Sequence, residues 1–190
     1  MTTNAYTHRL PTDGIPVKLK IVSALSEGAP VAVEEPEEQY DEPMSEFPED
    51  IEDAALRHMD ADEAPTGVQR LEQVTEARFS EENGRVTITY NDSEMLEIPD
   101  TITQVTFSTE EPGIVAIVRS GGLNSMFVIE EGKRHTSKYT VGGYSLPLCF
   151  YGRRVRNEIK DASGTLELDY VVEMNGSVTQ RTRMTLTLTK

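Results

Sequence analysis

The chain has a single cysteine, Cys149, among its 190 residues. One thiol excludes an intrachain disulfide framework and fits a reducing compartment. It also excludes a cysteine-built zinc site. Histidine is nearly as scarce, and His8, His58 and His135 are scattered. The tract His58-Met59-Asp60-Ala61-Asp62 is oxygen-rich, but it lacks the glycine and terminal glutamate of an EF-hand, so no metal site is expected. No run approaches the roughly eighteen apolar residues of a membrane helix, and Met1–Leu10 holds no apolar core of signal-peptide length. No glycine-rich phosphate loop opens a helix. The loop Ser120-Gly121-Gly122-Leu123-Asn124-Ser125 lacks the Gly-x-Ser-x-Gly spacing of a nucleophile elbow and reads as a flexible turn. These absences point to a soluble cytoplasmic protein that is not an enzyme, needs no cofactor and has no membrane partner.

Basic residues are outnumbered, 18 against 33 acids, for a net charge of -15. That imbalance is local. Between Glu34 and Glu63 fourteen carboxylates face one base, Arg57, so this stretch carries -13 and leaves about -2 for the rest of the chain. Residues 26–66 also contain prolines at 30, 36, 43, 48 and 65. Such a segment cannot bury enough apolar area to offset chain entropy, and the expectation is a mostly disordered acidic insertion with, at most, a short helix over Glu49–Ala61. Residues 1–14 read as a loose leader. What remains, 15–25 and 67–190, is long enough for one domain with its own core.

That domain reads as strand after strand. Val17, Leu19 and Ile21 alternate with Lys18 and Lys20. In Thr165–Met174 the apolar set Leu166, Leu168, Tyr170, Val172 and Met174 shares one face, with Glu167, Asp169 and Glu173 on the other. Asn83-Gly84 and Asn175-Gly176 are type I′ hairpin signals, because both residues tolerate φ > 0. Ser163-Gly164 bounds the penultimate strand. A long strand from Tyr144 to Lys160 calls for a bend at Gly152. About ten strands joined by short turns make an antiparallel meander, and its twist closes it into an up-and-down barrel, with a two-sheet sandwich as the fallback.

Ile117-Val118-Arg119, Met126–Tyr139 with its Gly132-Lys133-Arg134-His135 core, and Gly164–Tyr170 with the Asn175-Gly176 turn resemble the YwiB-like family of small, uncharacterised bacterial proteins. The resemblance covers Val17–Leu25 and Val68–Lys190. It implies a calycin-like β-barrel, related in shape to lipocalins and fatty-acid-binding proteins, in the bacterial cytoplasm. The acidic stretch looks like an insertion relative to the compact form. The resemblance brings no activity and no catalytic residues.

Alternation places Arg119, His135, Tyr139 and Asn157 as the polar groups of the barrel interior, where they would receive the head of a small amphipathic or anionic ligand. The plainer alternative ends Arg119 in solvent and ties His135 to a backbone carbonyl. Arg134, Lys138, Arg154, Arg156 and Lys160 fall outward as an anion patch within a region, Pro112–Lys160, of eight bases and three acids. No stacking aromatics are interleaved there, so nucleic acid is not the expected partner. The leading expectation is an uncharacterised non-enzymatic barrel with a small-molecule ligand. The second is a regulatory or protein-interaction module, whose arm at 26–66 engages a basic protein partner or the chain's own patch.

Overall fold

A computed structural model describes residues 10, 13–27, 67–141 and 144–190. Most of the leader, the insertion from residue 28 to 66 and the helix expected over Glu49–Ala61 lie outside the described residues. Ten strands follow in order: β1 (Ile15–Glu27), β2 (Val68–Glu82), β3 (Arg85–Asn91), β4 (Thr101–Ser108), β5 (Ile114–Gly121), β6 (Leu123–Glu130), β7 (Arg134–Val141), β8 (Tyr144–Asn157), β9 (Gly164–Met174) and β10 (Ser177–Thr189). One helical turn, α1 (Ser93–Leu96), lies in the β3–β4 connection. Each strand pairs antiparallel with its sequence neighbours, and β1 pairs with both β2 and β10, so the sheet closes into a barrel. Closure leaves no edge strand to template further pairing.

The turns explain the register. Asn83 and Gly84 (φ 51° and 75°) and Asn175 and Gly176 (φ 53° and 78°) hold the positive dihedrals a type I′ turn demands. The β8–β9 turn lies directly before the expected glycine. Asp161 and Ala162 (φ 51° and 63°), bridged by Lys160 and Ser163, make the turn itself, while Gly164 (φ 116°) opens β9 as the sequence reading had it. The Ala162 methyl is fully buried in the core, and that burial offsets the strain of a left-handed alanine.

Even hairpin spacing gives the barrel two rims. The β2–β3, β4–β5, β6–β7 and β8–β9 turns share one; α1 and the remaining connections share the other, called here the α1 rim. Large aliphatics fill the half away from α1, where Leu19, Ile88, Ile117, Ile129 and Leu186 are fully buried. Each such side chain stabilises the fold by about 1.5–3 kcal/mol of transfer free energy.

The wall is irregular at one seam. β6 and β7 pair only over Leu123–Ser125 with Val141–Tyr139 and then separate. β8 reaches across the gap: Gly132 N–H donates to Gly152 O at 2.8 Å, and Gly152 N–H donates to Lys133 O at 3.1 Å. The register of β8 against β9 shifts between Gly152 and Arg154, a bulge at the expected bend. A Cβ on Gly152 would stand 2.2 Å from the Glu130 carbonyl oxygen. Gly152→Ala is therefore expected to lower stability by about 3 kcal/mol, through forced movement of backbone rather than of a yielding side chain. Gly113→Ala, where an added Cβ meets nothing within 4 Å, should stay within about 0.5 kcal/mol of the parent in the same denaturant titration.

Candidate functional site

Cross-strand register sets a continuous row of lumen-facing residues over seven strands: Ala77, Tyr90, Thr103, Arg119, Ser125, Tyr139 and Leu146. Five of them are polar. The row lies toward the α1 rim, above the aliphatic half of the interior. Arg119 and Tyr139, both expected inside, fall on this row two strands apart, about 10 Å across Ser125 at ordinary strand spacing.

Asp92, one residue beyond β3, completes the group. Its backbone N–H donates to Thr101 O at 2.9 Å, Ser93 N–H donates to Asn91 Oδ1 at 3.0 Å, and Thr101 N–H donates to Ser93 Oγ at 2.9 Å. These bonds turn the Asp92 carboxylate inward, where its side chain is 1% exposed. Thr103 Oγ1 donates to Asp92 Oδ2 at 2.7 Å, and Arg119 Nε lies 3.5 Å from the same oxygen. That separation makes an ion pair without hydrogen-bond geometry, so Nε has no hydrogen-bond partner. The other carboxylate oxygen, Asp92 Oδ1, is buried with no partner among the described residues, as are Thr101 Oγ1 and Ser125 Oγ. Arg119 keeps 15% side-chain exposure, so it is the accessible member of the pair and Asp92 the sealed one.

An aromatic cluster supports the pair. Phe127 and Phe150 stack at 4.3 Å with an 8° interplanar angle, and Tyr170 tilts against both at 6.1 and 6.2 Å. The Arg119 guanidinium carbon lies 5.5 Å from the Phe127 ring centroid. Phe127 and Phe150 come from strands on either side of β7, and they meet within the lumen where β6 and β7 separate. Burial, more than any neighbour, pushes the Asp92 carboxyl up from its ordinary range, against the opposing pull of Arg119 and Thr103. Burial also raises Tyr90 and Tyr170, so both stay neutral phenols. Around this floor the lumen-facing residues of β1, β2, β8 and β9 include the apolar Leu25, Leu71, Leu148 and Val172, all half-buried, and Leu146, 45% exposed, interrupted by the polar Ser23 and Gln73.

The other two expected interior residues are not brought to this row. His135 lies where β7 has left β6; its ring is 34% exposed and its Nε2 is 3.2 Å from Glu130 Oε2. Asn157 sits toward the opposite rim, where its Nδ2 donates to Pro112 O at 3.2 Å and ties β8 to the β4–β5 turn. The outward bases stand against a row of acids. Arg134 Nε is 3.4 Å from Glu173 Oε1, with the guanidinium 4.5 Å over Tyr151. Register sets Arg154 opposite Asp169 and Arg156 opposite Glu167. Asp169 also receives Arg181 at 2.8 Å and Arg183 at 3.3 Å, so β8, β9 and β10 carry alternating stripes of charge. Lys138 and Lys160 are exposed, opposite Pro147 and Ser163.

Sequence reasoning missed Asp92, Tyr90, Thr103 and Ser125. Thr103 and Ser125 carried a usable signal, since each alternates with apolar residues on a buried face. Asp92 carried none, because it follows the last periodic residue of its strand.

A family model described as "Domain of unknown function (DUF1934)" matches residues 57–186, more than half of the chain. The chain belongs to this family. Among solved structures, the ywiB protein from Bacillus subtilis is 15% identical, with a TM-score of 0.58 over 92% of each chain, and shares the fold. No curated protein matches. The protein is thus a YwiB-like β-barrel, as the residues around the Gly132 hairpin suggested, and the family assigns it no chemistry.

Proposed function

We propose that this YwiB-like barrel is a non-enzymatic cytoplasmic protein that binds a small amphipathic molecule in the α1-rim half of its lumen. The polar head meets the row of Arg119, Ser125 and Tyr139 above Asp92, and the apolar part lies against Leu71, Leu148 and Val172. One observation carries this reading: a partly accessible arginine on the lumen face, over buried oxygens that no group among the described residues satisfies. Most polar atoms this deep have a partner, so an unsatisfied set in an apolar-walled space is the mark of a polar ligand contact or bound water. The non-enzymatic half of the proposal rests on reactivity. Burial and the neighbouring Glu173 push the Cys149 thiol up, away from the nucleophilic thiolate, and Arg119 is occupied by Asp92.

Native mass spectrometry of the protein purified gently from its own host tests the reading. A discrete small-molecule adduct, absent from the denatured mass, is the expected result. That molecule, added back at a hundredfold excess over its Kd, should raise stability by about 2.7 kcal/mol. A bare mass from several gentle preparations would instead describe a barrel whose interior is structural filling.

A further inference from the structure

The charge arithmetic of the lumen floor restricts the head group. Among the described residues the floor holds one cation, Arg119, and one carboxylate, Asp92, and they already face each other. The remaining buried polar groups, Tyr90, Thr101, Thr103, Ser125 and Thr182, are uncharged hydroxyls. Arg119 is the one base on the polar row, so an arriving carboxylate would share it with Asp92 and leave a net negative charge in an apolar enclosure. An uncompensated buried charge is among the most costly features a binding site can have.

The unsatisfied atoms state what the floor lacks. Asp92 Oδ1 is an acceptor without a donor and Arg119 Nε a donor without an acceptor, while Thr101 Oγ1 and Ser125 Oγ are hydroxyls able to give or take a hydrogen bond. Thr103 cannot supply Oδ1, because its hydroxyl proton already goes to Oδ2. A head group that donates to Asp92 Oδ1 and accepts from Arg119 Nε or a neighbouring hydroxyl, at no net charge, matches this set. Resting on the ligand-binding reading above, we propose that this lumen selects amphiphiles with a neutral, donor-bearing head, a primary amide or a hydroxyl, and discriminates against the matching carboxylate.

The raised carboxyl of Asp92 agrees with this, since a second anion beside it would push it further and make carboxylate binding take up a proton.

Three probes of one chain length decide the matter: decanamide, 1-decanol and decanoate, titrated calorimetrically below their aggregation limits at about neutral pH. Decanamide and decanol are expected to bind, with decanoate weaker by about tenfold or more. Decanoate binding should also be linked to uptake of a proton, read from heats in two buffers of different ionisation enthalpy. Asp92→Asn removes the resident negative charge at constant shape, so decanoate should then equal or overtake decanamide. Because Asp92→Asn also strands Arg119, Ser125→Ala in the otherwise native floor is the second variant; it should weaken decanamide and leave the order of the three probes intact. Decanoate binding as tightly as decanamide to the native protein, with no proton taken up, overturns the head-group assignment while the binder reading stands. Failure of all three probes, together with a bare native mass, overturns both.

Discussion

Arg119→Met is expected to lower stability by about 3–5 kcal/mol, because it keeps the long apolar stem and removes the charge that faces Asp92. Asp92 is 1% exposed and cannot turn to water, so the variant buries a carboxylate with only Thr103 to answer it. The double variant Arg119→Met with Asp92→Asn should recover most of the loss, since the cost lies in the stranded charge rather than in the attraction removed. The pH dependence carries a definite sign. Burial raises the Asp92 carboxyl, and Arg119 opposes that rise. An acid raised in the folded state holds a proton that the unfolded chain has already lost, so it subtracts stability as pH climbs above its unfolded value. Without Arg119 the rise is larger and reaches higher pH. Arg119→Met should therefore lie nearest the parent protein in acid and furthest from it at neutral pH. Urea titrations at about pH 5 and pH 7.5 separate the outcomes: a pH-independent loss, or a double variant no better than the single one, would show that the two side chains are not coupled.

The same pair marks where sequence reasoning stopped. Strands were legible because alternation is a local property: Val17, Leu19 and Ile21 must share a face, and Leu166, Leu168 and Tyr170 must share another, whatever surrounds them. The bend at Gly152 was legible for a similar reason, since a glycine within a long strand signals a close approach of backbone. Which partner approaches was not legible, because the Glu130–Lys133 turn reaches Gly152 only where β6 and β7 separate. The left-handed pair Asp161-Ala162 was hidden by composition: Ser163-Gly164 marked where β9 begins, but only burial of the Ala162 methyl favours an alanine in the turn before it. Charge was misleading in isolation. Arg154 and Arg156 read as a free basic row along β8, yet their significance depends on Asp169 and Glu167 across the β8–β9 register. Asp92 shows the limit most clearly, as a carboxylate in a short connection whose role exists only because β4 and β5 bring Thr103 and Arg119 to it.

Phe127→Ala should cost about 3–5 kcal/mol, the range for removing a fully buried aromatic, and it tests whether the interior is a rigid scaffold or a deformable filling. The ring is 3% exposed, and it is the shared member of the cluster, stacked on Phe150, touched by Tyr170 and covered by the Arg119 guanidinium. Its loss removes the burial of the ring itself, the geometric gain of the stack, about 0.5–1.5 kcal/mol beyond area, and the seat of the arginine. Two responses are open to the surroundings. β6 and β7 are unpaired beside this site, so the wall there has fewer cross-strand bonds to resist inward movement. The aliphatic half below is anchored by fully buried side chains such as Ile117 and Ile129 and does not share that freedom. If the wall holds, the variant contains a cavity between Phe150, Tyr170 and the Arg119 guanidinium, and benzene should take the place of the lost ring and restore part of the stability. If the wall collapses, the stability loss falls to the low end of the range, and benzene has no effect. Rescue by benzene is the expected result, because β6 stays paired with β5 over Ser125–Glu130, with Phe127 opposite the fully buried Ile117, and that pairing resists collapse of the wall. Denaturant titrations with and without saturating benzene decide between the two.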